Sequence, residues 1–448
     1  TDASNKLIFN CSNCHLGNEK ITTGLVDELS RGGGCNACHL NYSNIAIEQH
    51  LAYQNNNKDE RFLPKIHASL DLNISNDHCF GCHSRSGRIA TNYEGWHETL
   101  LNEKDVKDSV GYRVLQDKRV FKFVAADIHH EKGLECIDCH TSYELMGDGK
   151  TYLHEEEALK VMCEDCHTAS RPGTLGYEKL DMETRKVYDL RKFDFKDREM
   201  VIGRSGQVLV NVYEEDGEIK MVGKKSRKVH PLKPPAPICL KDMVHESLTC
   251  SSCHSAWAPQ CIGCHNKFDR GEEGFDLLDN RPVKGTWVEY VDGFISDLPA
   301  LGVRTGNKPK IEPCVPGMII SIDKSGFNNA EGTLGNIFHR LYAPVSPHTT
   351  SFKGRDCKSC HNNPVAIGYG RGDLVYEIQS GKGIWSFRPE FASNQADGLP
   401  EDAWLGFLDE GKGIVSTRTD FRPFTLDEQK KILTVGACLI CHDEKSRV

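Results

Sequence analysis

Eighteen of the chain's twenty cysteines fall into one pattern, Cys-x-x-Cys-His, which occurs nine times. In chain order the copies are Cys11, Cys14 and His15; Cys35, Cys38 and His39; Cys79, Cys82 and His83; Cys136, Cys139 and His140; Cys163, Cys166 and His167; Cys250, Cys253 and His254; Cys261, Cys264 and His265; Cys357, Cys360 and His361; and Cys438, Cys441 and His442. Two thiols at this spacing can form thioethers with the two vinyl groups along one porphyrin edge. The histidine after them can then turn its imidazole under the iron as the proximal ligand. With 20 Cys and 20 His in 448 residues, random placement yields on the order of 0.04 copies, so the repetition is not accidental.

Other cysteine chemistries explain the pattern less well. A zinc ribbon needs paired Cys-x-x-Cys units but gives no reason for a His after every second Cys. A thioredoxin-like centre uses one such motif on a βαβ scaffold, and a disulfide framework has no cause to repeat a three-residue signature. The spacing therefore implies nine covalently attached haems c. Cys239 and Cys314 remain, each close to a proline in the sequence. A disulfide between them is favoured for an exported protein, with two free thiols as the other reading.

A c-type haem iron closed to substrate takes a second axial ligand, usually His or Met. Eleven histidines lie outside the motifs, enough for nine irons. His78, His129, His154, His245 and His348 each sit a few residues ahead of a motif cysteine, where a loop can deliver them to a neighbouring iron. His50, His67, His97, His230 and His339 complete the candidate distal set. His130 is the spare, because adjacent residues such as His129 and His130 can hardly both ligate without strain. The seven methionines are not needed by this count.

The elements that must position these groups are unevenly spread. Residues 1–185 hold five motifs and form an N-terminal module. A β-hairpin insert at 186–245 comes next, then a tightly spaced two-haem segment at 246–270, a β and loop insert at 271–350, and a two-haem C-terminal module at 351–448. Only six residues, 255–260, separate motifs six and seven, and Trp257 among them can fill core or pack on a porphyrin. Val208, Val210 and Val212 alternate ahead of Asp216-Gly217 and predict a hairpin. A similar reading fits 286–291 before Asp292-Gly293, and 318–322 reads as strand. Leu159, Met162, Cys163 and Cys166 share a helical face, which predicts motif five at a helix C-terminus. Thr425 with Glu428 reads as a capping box opening a helix that ends near Gly436 and delivers motif nine.

The fold class expected is mostly irregular and loop-rich, with short α-helices and small β-hairpins wrapped around a chain of covalently bound haems. A mean hydropathy of −0.49 and 40 glycines fit a chain whose interior is filled partly by porphyrin. No apolar run approaches the roughly 18 residues of a membrane span. The chain starts at Thr1 in a polar stretch, so an export leader is expected to have been removed ahead of it. A formal charge of −9 with no long basic block weighs against nucleic acid. The cluster Lys224 to Lys228 reads as a solvated turn.

The segments 129–140 and 250–265, the latter with its Ser-Ala-Trp-Ala-Pro-Gln linker, resemble the large multihaem cytochromes of respiring, often metal-reducing, bacteria. The motif count is similar to that of nine-haem surface cytochromes. The resemblance implies a periplasmic or cell-surface location, bis-His ligation and outward electron transfer, in some members through filaments of stacked subunits. On this basis the chain is expected to be an electron-transfer protein rather than an enzyme. It would pass electrons from other redox proteins toward an extracellular metal or mineral acceptor, or between copies of itself in a homopolymer. The alternative is a multihaem reductase or oxidase of a small nitrogen or sulfur species with one open iron. The lysine-ended motif that marks that iron in pentahaem nitrite reductases does not occur here.

Overall fold

The alternating stretch at 208–212 does form a hairpin: Val208–Glu215 pairs antiparallel with Glu218–Val222. Asp216 and Gly217 turn the chain between them with φ of 53° and 80°. Both angles lie in the left-handed region that a two-residue hairpin turn demands. The computed structural model describes residues 34–84, 89–106, 110–241, 245–276, 279, 281–291, 293–326, 337–410 and 418–442. Motif one, with Cys11, Cys14 and His15, lies outside the described residues.

The chain divides into two compact units, Ser84–Ile128 with Ser247–Val448, and Cys14–His83 with His129–Glu246. In the unit holding motifs two to five, the hairpin sits inside a five-stranded antiparallel sheet. Its strand order is Val229–Pro231, Glu218–Val222, Val208–Glu215, Glu199–Ile202 and Gly173–Gly176. Successive side chains of a strand point to opposite faces, and here both faces are used. One packs Met200, Tyr213 and Val222 against Tyr188, Phe193 and Phe195. Tyr188 belongs to the helix Met182–Leu190, whose N-terminal amides are capped by Asp181. The other face packs Val201, Leu209, Val212 and Met221 against Leu134, Val161 and Cys166, the last a motif cysteine. A fully buried Phe195 or Tyr188 contributes about 1.5–3 kcal/mol, so the sheet is a firm floor under motifs four and five.

The other unit is built on longer strands. Gly263–Asp276 pairs antiparallel with Arg281–Val291 and parallel with Lys310–Asp323, which also pairs with Ala300–Arg304 and Ile337–Pro344. Its core gathers Leu301, Val303, Cys314, Ile367, Tyr369, Trp404, Phe421 and Leu433. Arg340, buried in this unit, pairs with Asp397 and donates to the carbonyls of Leu399, Glu401 and Ala403.

These sheets correct the expected fold class. Among the described residues strands hold 31% and helices 26%, and two strands run fourteen residues each. The chain is β-rich with extended antiparallel sheets, not a loop-rich wrapper with small hairpins. Alternation marked only fragments of those strands, because stretches that are partly exposed on both faces carry little period-2 signal.

Two local expectations also change. The stretch 286–291 does not form a hairpin with the segment after it: Arg281–Val291 pairs with the preceding Gly263–Asp276 instead, and Phe268 and Trp287 meet across those strands at 5.5 Å. Asp292 of the expected turn lies outside the described residues. Motif five does not end a helix but forms its own turn, Cys163–Cys166, after an extended Met162. The amides of Lys160 and Val161, which a helix there would need, donate to the Glu144 carboxylate. Thr425 and Glu428 form the expected capping box, and the helix Leu426–Cys438 ends two residues past Gly436 and delivers motif nine. Gly436 is there for closeness, since a Cβ would stand 2.5 Å from the His361 carbonyl oxygen.

Candidate functional site

Seven of the eight described motifs share a local geometry. Cys35–His39, Cys136–Cys139, Cys163–Cys166 and Cys250–His254 are each one helical turn. Asn76–His83 carries Cys79, Cys82 and His83 of motif three in its last turn, with Cys82 half-buried. Residues i and i+3 lie on the same side of a helix, so both thiols of such a motif face one way. The turn is closed by the His amide donating to the first Cys carbonyl, at 2.9 Å in His140, His167 and His361 and 3.0 Å in His442. In motif nine Cys438 is the last residue of its helix, and the Cys441 amide also donates to the Cys438 carbonyl, at 3.2 Å. Both thiols there are exposed.

The imidazoles are then fixed from outside. The Nδ1 atoms of His39, His167, His254 and His361 lie 2.8–3.0 Å from the carbonyl oxygens of Asp71, Lys233, Ser351 and Ile432. A carbonyl oxygen only accepts, so Nδ1 carries the proton and Nε2 keeps its lone pair, the tautomer a metal ligand needs. His265 Nδ1 pairs instead with the Ser321 hydroxyl, which can donate or accept. His140 differs: its Nδ1 stands 3.5 Å from the buried Glu144 carboxylate.

Motif four has further support. Asp138, inside it, accepts the amides of Glu135 at 2.8 Å and Lys224 at 2.6 Å. The Asn211 side chain donates to the Asp138 carbonyl. Lys224 donates through Nζ to the carbonyls of Ile137 and His140. Lys224 is 6% exposed, which corrects the solvated-turn reading at the head of its cluster. Burial, opposed by Asp138, lowers the Lys224 ammonium to about 8. Burial by itself would raise Glu144, but the His140 imidazole and the amides of Lys160 and Thr141 outweigh it and hold the carboxyl below its ordinary value. Sequence reasoning missed Asp138, Glu144 and Lys224. Thr141-x-x-Glu144, a capping box directly after motif four, was the one legible signal.

Motif six is held by uncharged groups. The Ser252 hydroxyl donates to the Ile311 carbonyl at 2.7 Å, and the Arg355 amide donates to the Cys253 carbonyl. Trp257 is buried, donates to the Ala125 carbonyl at 2.9 Å and meets the His97 ring edge-on at 5.7 Å. Motif seven departs from the turn geometry. Cys261 ends the strand Ala258–Cys261, while Cys264 and His265 lie in Gly263–Asp276. In a strand, residues three apart face opposite ways. Cys264 donates to Glu289, and burial together with Glu289 pushes its thiol up to about 12.

Neighbouring motifs touch within each unit. The thiols of Cys79 and Cys136 are hydrogen-bonded, which together with burial raises Cys79, and the Cys136 amide donates to the Asn76 side chain. Cys139 lies within electrostatic reach of Cys166. In the other unit the Arg355 guanidinium reaches the Cys360 sulfur at 3.9 Å, and Asn362 donates to the Gly436 carbonyl. The structure thus links motifs three to four, four to five, six to eight, and eight to nine.

The candidate distal histidines divide. His129 faces the motif-five His167. His97 is 5% exposed, and neither ring nitrogen makes a hydrogen bond of good geometry. Burial, opposed by the nearby Phe294 backbone, lowers its pKa to about 4. His230 Nε2 is likewise buried without a partner. His67 and His348 use Nδ1 on the carbonyls of Ala68 and Ser346, and His50 packs edge-on against Tyr42. His78 has both nitrogens engaged, by the Ser75 amide and the Asn41 side chain. His339 and His245 are exposed and His154 is half-buried.

Cys239 and Cys314 do not bond to each other. Cys314 is a buried free thiol and Cys239 an exposed one, so the favoured disulfide is not formed; Cys314 is held in the apolar core of its unit.

Among the described residues no three His, Cys, Asp or Glu side chains gather as a bare metal ion would require. A haem iron takes only two ligands from protein, so the donor sets fit that group motif by motif: one-sided thiol pairs, a poised Nε2, and buried unpartnered nitrogens on His97 and His230. Of the described motifs, motif seven departs from this arrangement, its two thiols lying in different strands. No helix among the described residues is long and apolar enough to cross a membrane. Compared with known proteins, the chain matches no family model, no curated protein and no solved structure.

Proposed function

We propose that this chain is a multihaem c-type cytochrome that conducts electrons through nine bound haems, most of them bis-His and low-spin, toward an extracellular acceptor. The observation that carries the reading is the set of motif imidazoles whose Nδ1 is held by a remote carbonyl, which puts the lone pair on Nε2 as a metal ligand requires. Bound haem would supply the one-electron redox chemistry. The protein's part is to hold each ligand pair, keep neighbouring attachment points in contact, and tune each centre by burial and hydrogen bonding. The contacts from motif three to five and from six through eight to nine support a conduit over isolated centres. Export, a periplasmic donor and assembly into a conductive filament belong to the same proposal.

The test is near-infrared magnetic circular dichroism and EPR of the oxidised protein produced with c-type maturation. The conduit reading expects bis-His low-spin signals and no turnover of nitrite or hydroxylamine. A high-spin haem in the wild type together with such turnover would replace it with an oxidoreductase.

A further inference from the structure

We infer that His129 and His167 are the two axial ligands of one iron, the iron of motif five; this rests on the haem reading. The ring centroids lie 6.2 Å apart with planes at 49°. A metal–imidazole nitrogen bond is about 2.0 Å, and each ring adds the short distance from its nitrogen to its centroid. Two imidazoles on opposite sides of one metal therefore have centroids about 6.3 Å apart. A tilt of 49° is neither the offset stack nor the edge-to-face contact that two rings choose for each other.

Both rings are placed independently. His167 follows Cys166, which packs on the sheet face, and its Nδ1 lies 2.8 Å from the Lys233 carbonyl, which leaves Nε2 as the coordinating atom. His129 stands in the turn Ile128–Glu131, and its carbonyl accepts the Leu134 amide at 3.0 Å. Leu134 packs in the same cluster as Cys166. One apolar cluster thus seats both ligands. The assignment crosses the sequence order, since His129 precedes motif four yet serves motif five. The chain from 129 to 167 therefore closes on itself through one metal centre, with motif four on the enclosed loop.

The test measures spin state, haem by haem. His129→Ala is expected to turn one haem of nine high-spin in the EPR spectrum of the oxidised protein, with added imidazole restoring the low-spin signal. His130→Ala, its neighbour, should leave every haem unchanged. In a Cys163→Ala, Cys166→Ala background, which lacks the motif-five haem, His129→Ala should create no new high-spin signal. A new signal in that background, or none in the single variant, overturns the pairing while leaving the conduit reading intact. A wild type without covalent haem overturns that reading first. If His129→Ala fails to fold, His129→Met keeps the test open: the pairing expects a single haem to change its axial-ligand signature in magnetic circular dichroism, and no change overturns it.

Discussion

Motifs four and six have the same one-turn backbone, yet the chain grips them with different chemistry. Motif four is held by charged groups: Asp138 on two amides, Lys224 on two carbonyls, Glu144 at the imidazole. Motif six is held by neutral ones: the Ser252 hydroxyl on Ile311, the Arg355 amide on Cys253, the Ser351 carbonyl at His254. Buried charges respond to pH and act on a nearby electron through space, whereas hydroxyls and carbonyls do so weakly. One motif geometry is thus given two electrostatic settings, so under the proposed haem reading the centres need not be alike in potential.

The largest effect should come from Asp138→Ala. It strips two buried amides of their acceptor and leaves the Lys224 ammonium without its compensating carboxylate, a loss of about 3–5 kcal/mol in urea unfolding. A change under about 1 kcal/mol would mean the charged grip is ornamental.

Next is Lys224→Met, which leaves the carbonyls of Ile137 and His140 without a donor and should cost about 1–3 kcal/mol at neutral pH. It also carries a pH signature. With the folded ammonium near 8 and the ordinary value at 10.5, the unfolded chain binds more protons between those limits. Wild-type stability should therefore rise as pH climbs through that window. The variant should lack the rise, and an unchanged slope would place the titration elsewhere.

Glu144→Gln comes third. With haem bound as proposed, replacing the carboxylate beside His140 with a neutral amide should raise the potential of the motif-four haem alone, by a step on the order of 59 mV, the value of a tenfold change for one electron. Spectroelectrochemical titration reads it, and a uniform shift of all centres would contradict the assignment. The smallest change is expected on the neutral side. Ser252→Ala should cost about 1 kcal/mol and leave the potentials and the pH profile unmoved.

How much of this was legible depended on the range of each signal. The thiol pairs and proximal histidines stand in a contiguous pattern, so residue spacing was enough. The hairpin at Asp216-Gly217 and the Thr425–Glu428 cap were readable for the same reason, being written within a few residues. The extent of the sheets was not: Gly263–Asp276 owes its conformation to partners at 281–291 and 319–323, and it carries motif seven into a strand that its Cys-x-x-Cys spacing does not announce. The burial of Lys224 was hidden because its two carbonyls come from residues more than eighty positions earlier. The ring neighbour of His129 was hidden too, since the sequence says only that His129 stands seven residues ahead of Cys136, while the fold sets it against His167 of motif five.

The central claim is that the motifs hold haem, and mass spectrometry of the intact protein, matured for c-type attachment and denatured before measurement, tests it most directly. The account predicts a covalent mass increment of nine haems, falling to eight in the double variant Cys250→Ala, Cys253→Ala. An unmodified polypeptide mass, or one carrying only ions that denaturation removes, would contradict it.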